Sequence, residues 1–271
     1  MQIRTDLALE AKELWEKSPQ NTTKLAGVKA VERGRVTQVD ILNEEGAAAL
    51  GKPVGRYLTV ELPRYEGELR RDATALSEEL TALMGLRPKD RVLVVGLGNP
   101  SVTPDALGPE VLRHLFLTRH LLEALPEQFG DCRSVSAVAP GVLATTGIES
   151  LELVRGAVRH VQPDCVLCID SLAAGSMDRL CRTIQCTNVG IAPGSGVGNR
   201  RAAFSEKSLG VPVFAVGVPT VVDGGEGMIV TPRDIDAQVR YLSALLAAAI
   251  NLSLHPMFDY EDFTQFVPIY G

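Results

Sequence analysis

The chain has little of what usually announces a reaction. Its four histidines (His114, His120, His160 and His255) are scattered, and none stands in His-x-x-x-His spacing, so a histidine-based zinc site is not expected. No serine occupies a Gly-x-Ser-x-Gly elbow and no cysteine is set against a histidine, which leaves a serine or cysteine nucleophile without support. The five cysteines (Cys132, Cys165, Cys168, Cys181 and Cys186) are an odd number without framework spacing. Cys165 and Cys168 have Cys-x-x-Cys form, but they fall in an apolar, strand-like run where residues i and i+3 face opposite sides and cannot share a metal. They read as buried thiols of a reducing compartment. No basic start leads into a long apolar segment, so no secretion signal is expected. The most apolar later run, 242–252, is short for a bilayer and is broken by Ser243 and Asn251. The net charge of −6 argues against nucleic acid as a partner, because neutralising phosphates needs clustered Lys and Arg. The expectation is a cytoplasmic protein with no metal, no cofactor, no membrane and no nucleic acid.

What is present is a full α/β pattern. With 271 residues, 45% hydrophobic and 22% charged, the chain can bury one large core. One domain over 1–271 is expected, with an N-terminal α+β extension to about 88, a core over about 90–252 and a tail over about 253–271. The extension reads as a short helix over 8–16 capped by Asp6, strands over 36–42 and 57–62 joined by a Gly-rich connection, and an amphipathic helix over 67–84 stopped by Gly85. From Arg91 onward, strands over 92–95, 135–139, 165–169, 183–187 and 212–217 alternate with helical stretches. One of these begins near Asp105. A second starts at the capping-box spacing Thr146-Gly-Ile-Glu149, and the last spans roughly 233–251. Repeated βα units imply a mostly parallel, doubly wound sheet with helices on both faces.

The most informative stretch is 91–109. Four apolar residues, Val92 to Val95, suit a strand buried on both faces, and Gly96 and Gly98 then allow a sharp turn. Asp105 follows, just before the helical spacing Leu107, Val111, Leu115. A carboxylate there is either a helix cap or a working residue. In the common strand order 2-1-3, the strands over 92–95 and 165–169 are neighbours, and the binding crevice opens at their C-terminal ends. Asp105 follows the first and Asp170 ends the third, so two carboxylates 65 positions apart are expected across one cleft. Close carboxylates suit hydrolysis, because like charge raises one pKa and leaves an acid beside a base. Two further stretches stand out, of which the second is expected at the same rim. Pro193-Gly-Ser-Gly-Val-Gly-Asn-Arg-Arg201 fails the dinucleotide fingerprint and reads either as a tight surface turn, the commoner role of a lone Gly-rich loop, or as an N–H-rich loop for an anion, a substrate backbone or an oxyanion, through Gly194, Ser195, Gly196, Gly198, Asn199 and Arg200. Gly217-Val-Pro-Thr-Val-Val-Asp223 reads as a loop at a strand end, with Asp223 as a third carboxylate.

Several of these stretches resemble one family. Arg4-Thr-Asp-Leu-Ala8, Val94-Val-Gly-Leu-Gly-Asn99, Thr103-Pro-Asp-Ala-Leu-Gly-Pro109, Ala139-Pro-Gly-Val142, Ile169-Asp-Ser-Leu-Ala-Ala174, the Gly-rich stretch from Pro193 and Gly217-Val-Pro-Thr-Val-Val-Asp223 are similar to segments of the germination protease of spore-forming bacteria, in the same order. The resemblance implies an endopeptidase that initiates breakdown of small acid-soluble spore proteins when a spore germinates. It implies an atypical aspartic-type peptidase with Asp105 and Asp170 as its essential pair, a fold similar to hydrogenase-maturation peptidases, a homotetramer and a zymogen. Two features depart from the family pattern. Asn188-Val-Gly190 stands where the family often has Asp-Thr-Gly, and only Met1-Gln-Ile3 precede Arg4, where a pro-segment is expected.

Three rival readings remain. Val95-Gly-Leu-Gly-Asn-Pro100 and Thr118-Arg-His120 also resemble peptidyl-tRNA hydrolase, although there the motif lies near the N-terminus. A metal-dependent hydrogenase-maturation-type peptidase shares the strand–glycine–acid arrangement. A non-catalytic ligand-binding protein of the same fold is the reading outside enzymology.

Overall fold

The computed structural model describes residues 5–19, 21, 25–63, 68–197, 201–225 and 228–266. Among them nine strands form one sheet: β1 (Val28–Arg33), β2 (Val36–Ile41), β3 (Gly55–Glu61), β4 (Val92–Gly96), β5 (Val135–Val138), β6 (Cys165–Ala174), β7 (Thr183–Thr187), β8 (Val213–Gly225) and β9 (Met228–Val230). The helices of the N-terminal third are α1 (Ala8–Lys17), α2 (Glu44–Leu50) and α3 (Leu69–Met84). After β4 come α4 (Leu107–Leu112), α5 (Arg119–Ala124) and α6 (Pro126–Phe129), and after β5 come α7 (Leu143–Thr146) and α8 (Ser150–Val161). The chain continues with α9 (Glu206–Leu209), α10 (Ile235–Leu254) and α11 (Tyr260–Phe266).

The strand order is β1-β2-β3-β7-β8-β6-β4-β5, with β9 on the far part of β8. The expected 2-1-3 core is there as β5-β4-β6, and β8 extends it in parallel. The sheet as a whole is mixed rather than mostly parallel, because β7, β3, β2 and β1 run antiparallel to their neighbours. The cause is loop length. Only 175–182 separate β6 from β7, too few for the crossover of a dozen or more residues that a parallel return needs.

Register explains the two cores. Leu58, Cys186, Val216 and Ile169 stand side by side on one face, which α3, α4 and α10 cover. Tyr57, Thr187, Ala215 and Cys168 line the other. Over its parallel half that face is covered by Leu151, Val154 and Val158 of α8, and over its antiparallel half by α1 and α2. In β4, Val92 and Val94 enter the first core while Leu93 and Val95 enter the second, which is why this strand reads as an unbroken apolar run. Each fully buried aliphatic side chain contributes about 1.5–3 kcal/mol. Cys165 and Cys168 fall into opposite cores, as their spacing requires, and all five cysteines are free and buried. Helix α10 is long and apolar enough to cross a bilayer, but 72% of its apolar window is buried inside the protein.

Several local expectations are corrected. The connection over 42–54 contains α2, capped by Asn43 through the Gly46 N–H, and is not simply Gly-rich coil. Strand β1 is an exposed edge whose outward side chains hide the alternation that marks a strand. Thr146 does not start a helix: Gly147, in the left-handed region at φ +71°, ends α7, and α8 begins at Ser150. Helix α3 stops at Gly85 (φ +55°), as expected. Strand β6 does not end at Asp170 but runs on to Ala174, and 217–223 is no loop but the middle of β8. The tail carries the last turn of α10 and then α11.

Candidate active site

The chain after β4 packs α4 on one face of the sheet, and the chain after β5 packs α8 on the other. The topological switch point therefore lies between β4 and β6, at their C-terminal ends. The Leu97 N–H donates to the Ile169 carbonyl at 2.8 Å, carrying the ladder past the end of β4. The chain then turns at Gly98, whose φ of +115° favours glycine. A Cβ on Gly98 would lie 1.9 Å from the Asp105 carbonyl oxygen.

Asp105 ends a 3-10 turn over Thr103–Asp105, and α4 starts only at Leu107 with Ala106 as its cap. Asp105 is therefore no helix cap. Its Oδ2 accepts the Asn99 N–H at 2.9 Å, closing the turn after β4. The turn is held down from β8, where the Thr220 hydroxyl donates to the Pro104 carbonyl at 2.6 Å. Thr220 can reach because it is the bulged residue: Leu172 pairs with Pro219 and Ala173 with Val221. At the other side, Gly108 brings α4 against the strand ends, since a Cβ there would meet the Leu97 and Ile169 carbonyl oxygens at 2.3 and 2.6 Å.

Asp170 lies within β6, opposite Gly217 of β8, and is only 4% exposed. It is not a cap either; its Oδ1 accepts the N–H of Ser171 at 2.9 Å. Burial pushes its pKa well above the ordinary carboxylate value of 3.8, and the charges of Asp105 and Asp6 push the same way, against the Ser171 N–H. Burial also raises Asp105, opposed by the Asn99 N–H bond. The charge of Asp105 thus acts in the direction that keeps the proton on Asp170.

Asp6, expected as a helix cap, makes no cap to α1. Its Oδ2 accepts the Ala173 N–H at 2.9 Å and its Oδ1 the Ser195 hydroxyl at 2.6 Å. Its own N–H donates to the Ala173 carbonyl at 2.9 Å, so the N-terminal segment pairs with the tip of β6. The signal for this third carboxylate was its place in Arg4-Thr-Asp-Leu-Ala8, one of the stretches carrying the family resemblance.

Of the Gly-rich stretch, Ser195 and Gly196 reach the site through Asp6, and Gly194 precedes them with φ +72°. Gly198, Asn199 and Arg200 lie outside the described residues. Asp223 pairs with Ile229 of β9, six residues beyond Gly217, which is roughly 20 Å along the strand. The structure does not bring it to the acid pair. A cleft of about 1530 Å³ runs beside the site, lined among others by Trp15, Leu50, Tyr57, Gln185, Leu172 and Gly217. Asp6 and Ser195 also line it, whereas Asp105 and Asp170 are not part of its lining. Register places Asp170 beside the cleft, because Gly217 in its lining is the pairing partner of Asp170. No group of three or more His, Cys, Asp or Glu suited to a metal ion occurs among the described residues.

An α/β sheet with acids at its switch point and a cleft of peptide size is compatible with hydrolysis, and the comparisons with known proteins make the class a protease. A family model described as germination protease matches residues 8–226. The germination protease of Caldanaerobacter subterraneus is 41% identical over an alignment covering 97% of each chain. That of Clostridium perfringens is 39% identical over 98% of this chain and 99% of its own. That of Priestia megaterium is 44% identical over 82% of this chain and 64% of its own. The chain belongs to the germination protease family, whose members are endopeptidases acting on spore proteins in germination.

Proposed function

We propose that this endopeptidase initiates degradation of small acid-soluble spore proteins, using Asp105 and Asp170 to drive attack of water on the peptide bond. The observation that carries the reading is the placement of two upshifted carboxyls around the end of β4, Asp105 on the turn that follows it and Asp170 on the adjacent parallel strand β6. Asp170, the more deeply buried, is the acid that starts protonated; Asp105, held by the Asn99 N–H, is the base. Asp105 takes a proton from water as the water oxygen bonds to the carbonyl carbon, and Asp170 gives its proton to the carbonyl oxygen. Collapse of the tetrahedral intermediate breaks the C–N bond; the leaving nitrogen takes a proton from Asp105, and Asp170 recovers one from the intermediate hydroxyl. The adjoining cleft would hold the substrate chain, with Gly194, Ser195 and Gly196 along its edge.

The resemblance supports the rest of this reading: synthesis as a zymogen, assembly as a homotetramer and action in the cytoplasm of the spore core. Incubation of the purified protein with a small acid-soluble spore protein tests the chemistry. Cleavage is expected, and Asp105→Asn and Asp170→Asn should each lower kcat by at least about 10²-fold, the lower end of what a general acid or base contributes. Full activity in either variant would sink the acid pair. Inhibition by chelators with both variants active would favour the metal-dependent alternative.

A further inference from the structure

One carboxylate at the site has no part in the water attack. Asp6 touches neither the turn that carries Asp105 nor the strand residue Asp170, yet it joins two elements on which the cleft depends. Its Oδ2 holds the Ala173 N–H at the tip of β6 and its Oδ1 holds the Ser195 hydroxyl at the start of the Gly-rich stretch. The approach is close: a Cβ on Gly196 would lie 2.3 Å from Oδ2 and 2.7 Å from the Ala173 Cβ. The segment that carries Asp6 is itself fastened, since the Gln185 side chain donates to the Asp6 carbonyl at 3.0 Å and accepts the Ala8 N–H at 2.7 Å.

We propose that Asp6 is a positioning residue of the reaction: its carboxylate fastens the Ser195 segment to the tip of β6, three residues beyond Asp170 on the same strand, and sets a fixed negative charge beside the acid pair. The inference rests on the reading of that pair as the acid and base. Among the described residues, the titratable groups that act on Asp170 are Asp105 from the 3-10 turn, Asp6 from the N-terminal segment and Cys168 two residues back on its own strand. Its neighbour on β8, Gly217, brings none. The nearby Glu10 of α1 is engaged elsewhere, with the Gly175 N–H, the Thr5 hydroxyl and Arg179. Two cations stand beside this segment, Lys52, whose ammonium donates to the Thr5 carbonyl at 2.9 Å, and Arg179, which pairs with Glu10 and Glu13; neither is among the charges acting on Asp170, where the charge of Asp6 favours the protonated form.

Asp6→Asn separates charge from tether. The amide oxygen can still accept the Ala173 N–H and the amide nitrogen can donate to the Ser195 oxygen, so both contacts persist without the charge. The basic limb of the kcat/KM profile reports loss of the pair's proton, as a property of the pair. D6N should move that limb to lower pH and reduce kcat at neutral pH by about tenfold, a fraction of what a general acid contributes. Ser195→Ala, which cuts the tether and keeps the charge, should raise KM and leave the limb in place. Asp6→Glu, which keeps the charge on a longer arm, should also leave the limb in place, and it decides the matter if D6N does not melt cooperatively. A D6N limb at the wild-type pH, an S195A limb displaced as far as that of D6N, or a D6E limb displaced to lower pH would each overturn the proposal. These failures are distinct from failure of the acid pair: active D105N or D170N removes the pair itself, whereas inactive D105N and D170N beside an unshifted D6N remove only Asp6.

Discussion

Asp170 carries a thermodynamic cost that follows from its burial. A carboxyl whose folded pKa lies above its unfolded value binds a proton in the folded state that the unfolded chain has lost. Stability is then full below the unfolded value near 3.8 and declines as pH rises toward the folded pKa, above which it is flat. Asp170→Asn keeps the acceptor for the Ser171 N–H and removes the titration. The expected outcome is a Tm equal to the wild type below about pH 4 and a growing excess in the variant as pH rises, in the absence of activity. Thermal melts at a series of pH values check it, and a D170N protein that is less stable at neutral pH would contradict it. At this scale the sequence was informative about Asp105 and Asp170, because strand order alone brings them to one crevice. About Asp6 it offered only the family resemblance of residues 4–8, because the partners at Ala173 and Ser195 lie 167 and 189 positions away and leave no local pattern. A residue ahead of a helix looks like a cap whether or not its side chain turns toward it.

The elements around the site are held by close backbone approach more than by side-chain contact. Gly108 is the clearest case, since its missing Cβ is what lets α4 sit on the ends of β4 and β6. Gly108→Ala would push backbone against backbone, costing about 1–3 kcal/mol as overpacking generally does. Because Asp105 lies three residues earlier, the same displacement should move its carboxyl off Asp170 and abolish cleavage. Denaturant unfolding and peptide cleavage on the same preparation test both halves; wild-type values in either would show that the contact is relieved elsewhere. Strand and helix positions in the core were legible because β4, α3 and α10 have the apolar periods of two-sided burial or one-sided packing. Their relative directions were only half legible. The parallel half follows from βα alternation, but the antiparallel half depends on a short β6–β7 link and on an exposed β1, neither of which shows in an apolar pattern.

For the whole molecule, the proposed homotetramer makes a simple prediction. Sedimentation equilibrium at micromolar concentration should give four times the 29.1 kDa chain mass, and a single-chain mass would set that reading aside. The order of synthesis adds a consequence of the contacts made by Asp6. The N-terminal segment leaves the ribosome first, but the groups that receive it, Ala173, Gln185 and Ser195, follow far behind, and Thr220, which pins the turn carrying Asp105, follows later still. At translation rates of about 5–20 residues per second, the opening segment waits on the order of ten seconds or more for its seat. A nascent chain therefore cannot seat Asp6 or pin the turn that carries Asp105 until the chain has been made through Thr220.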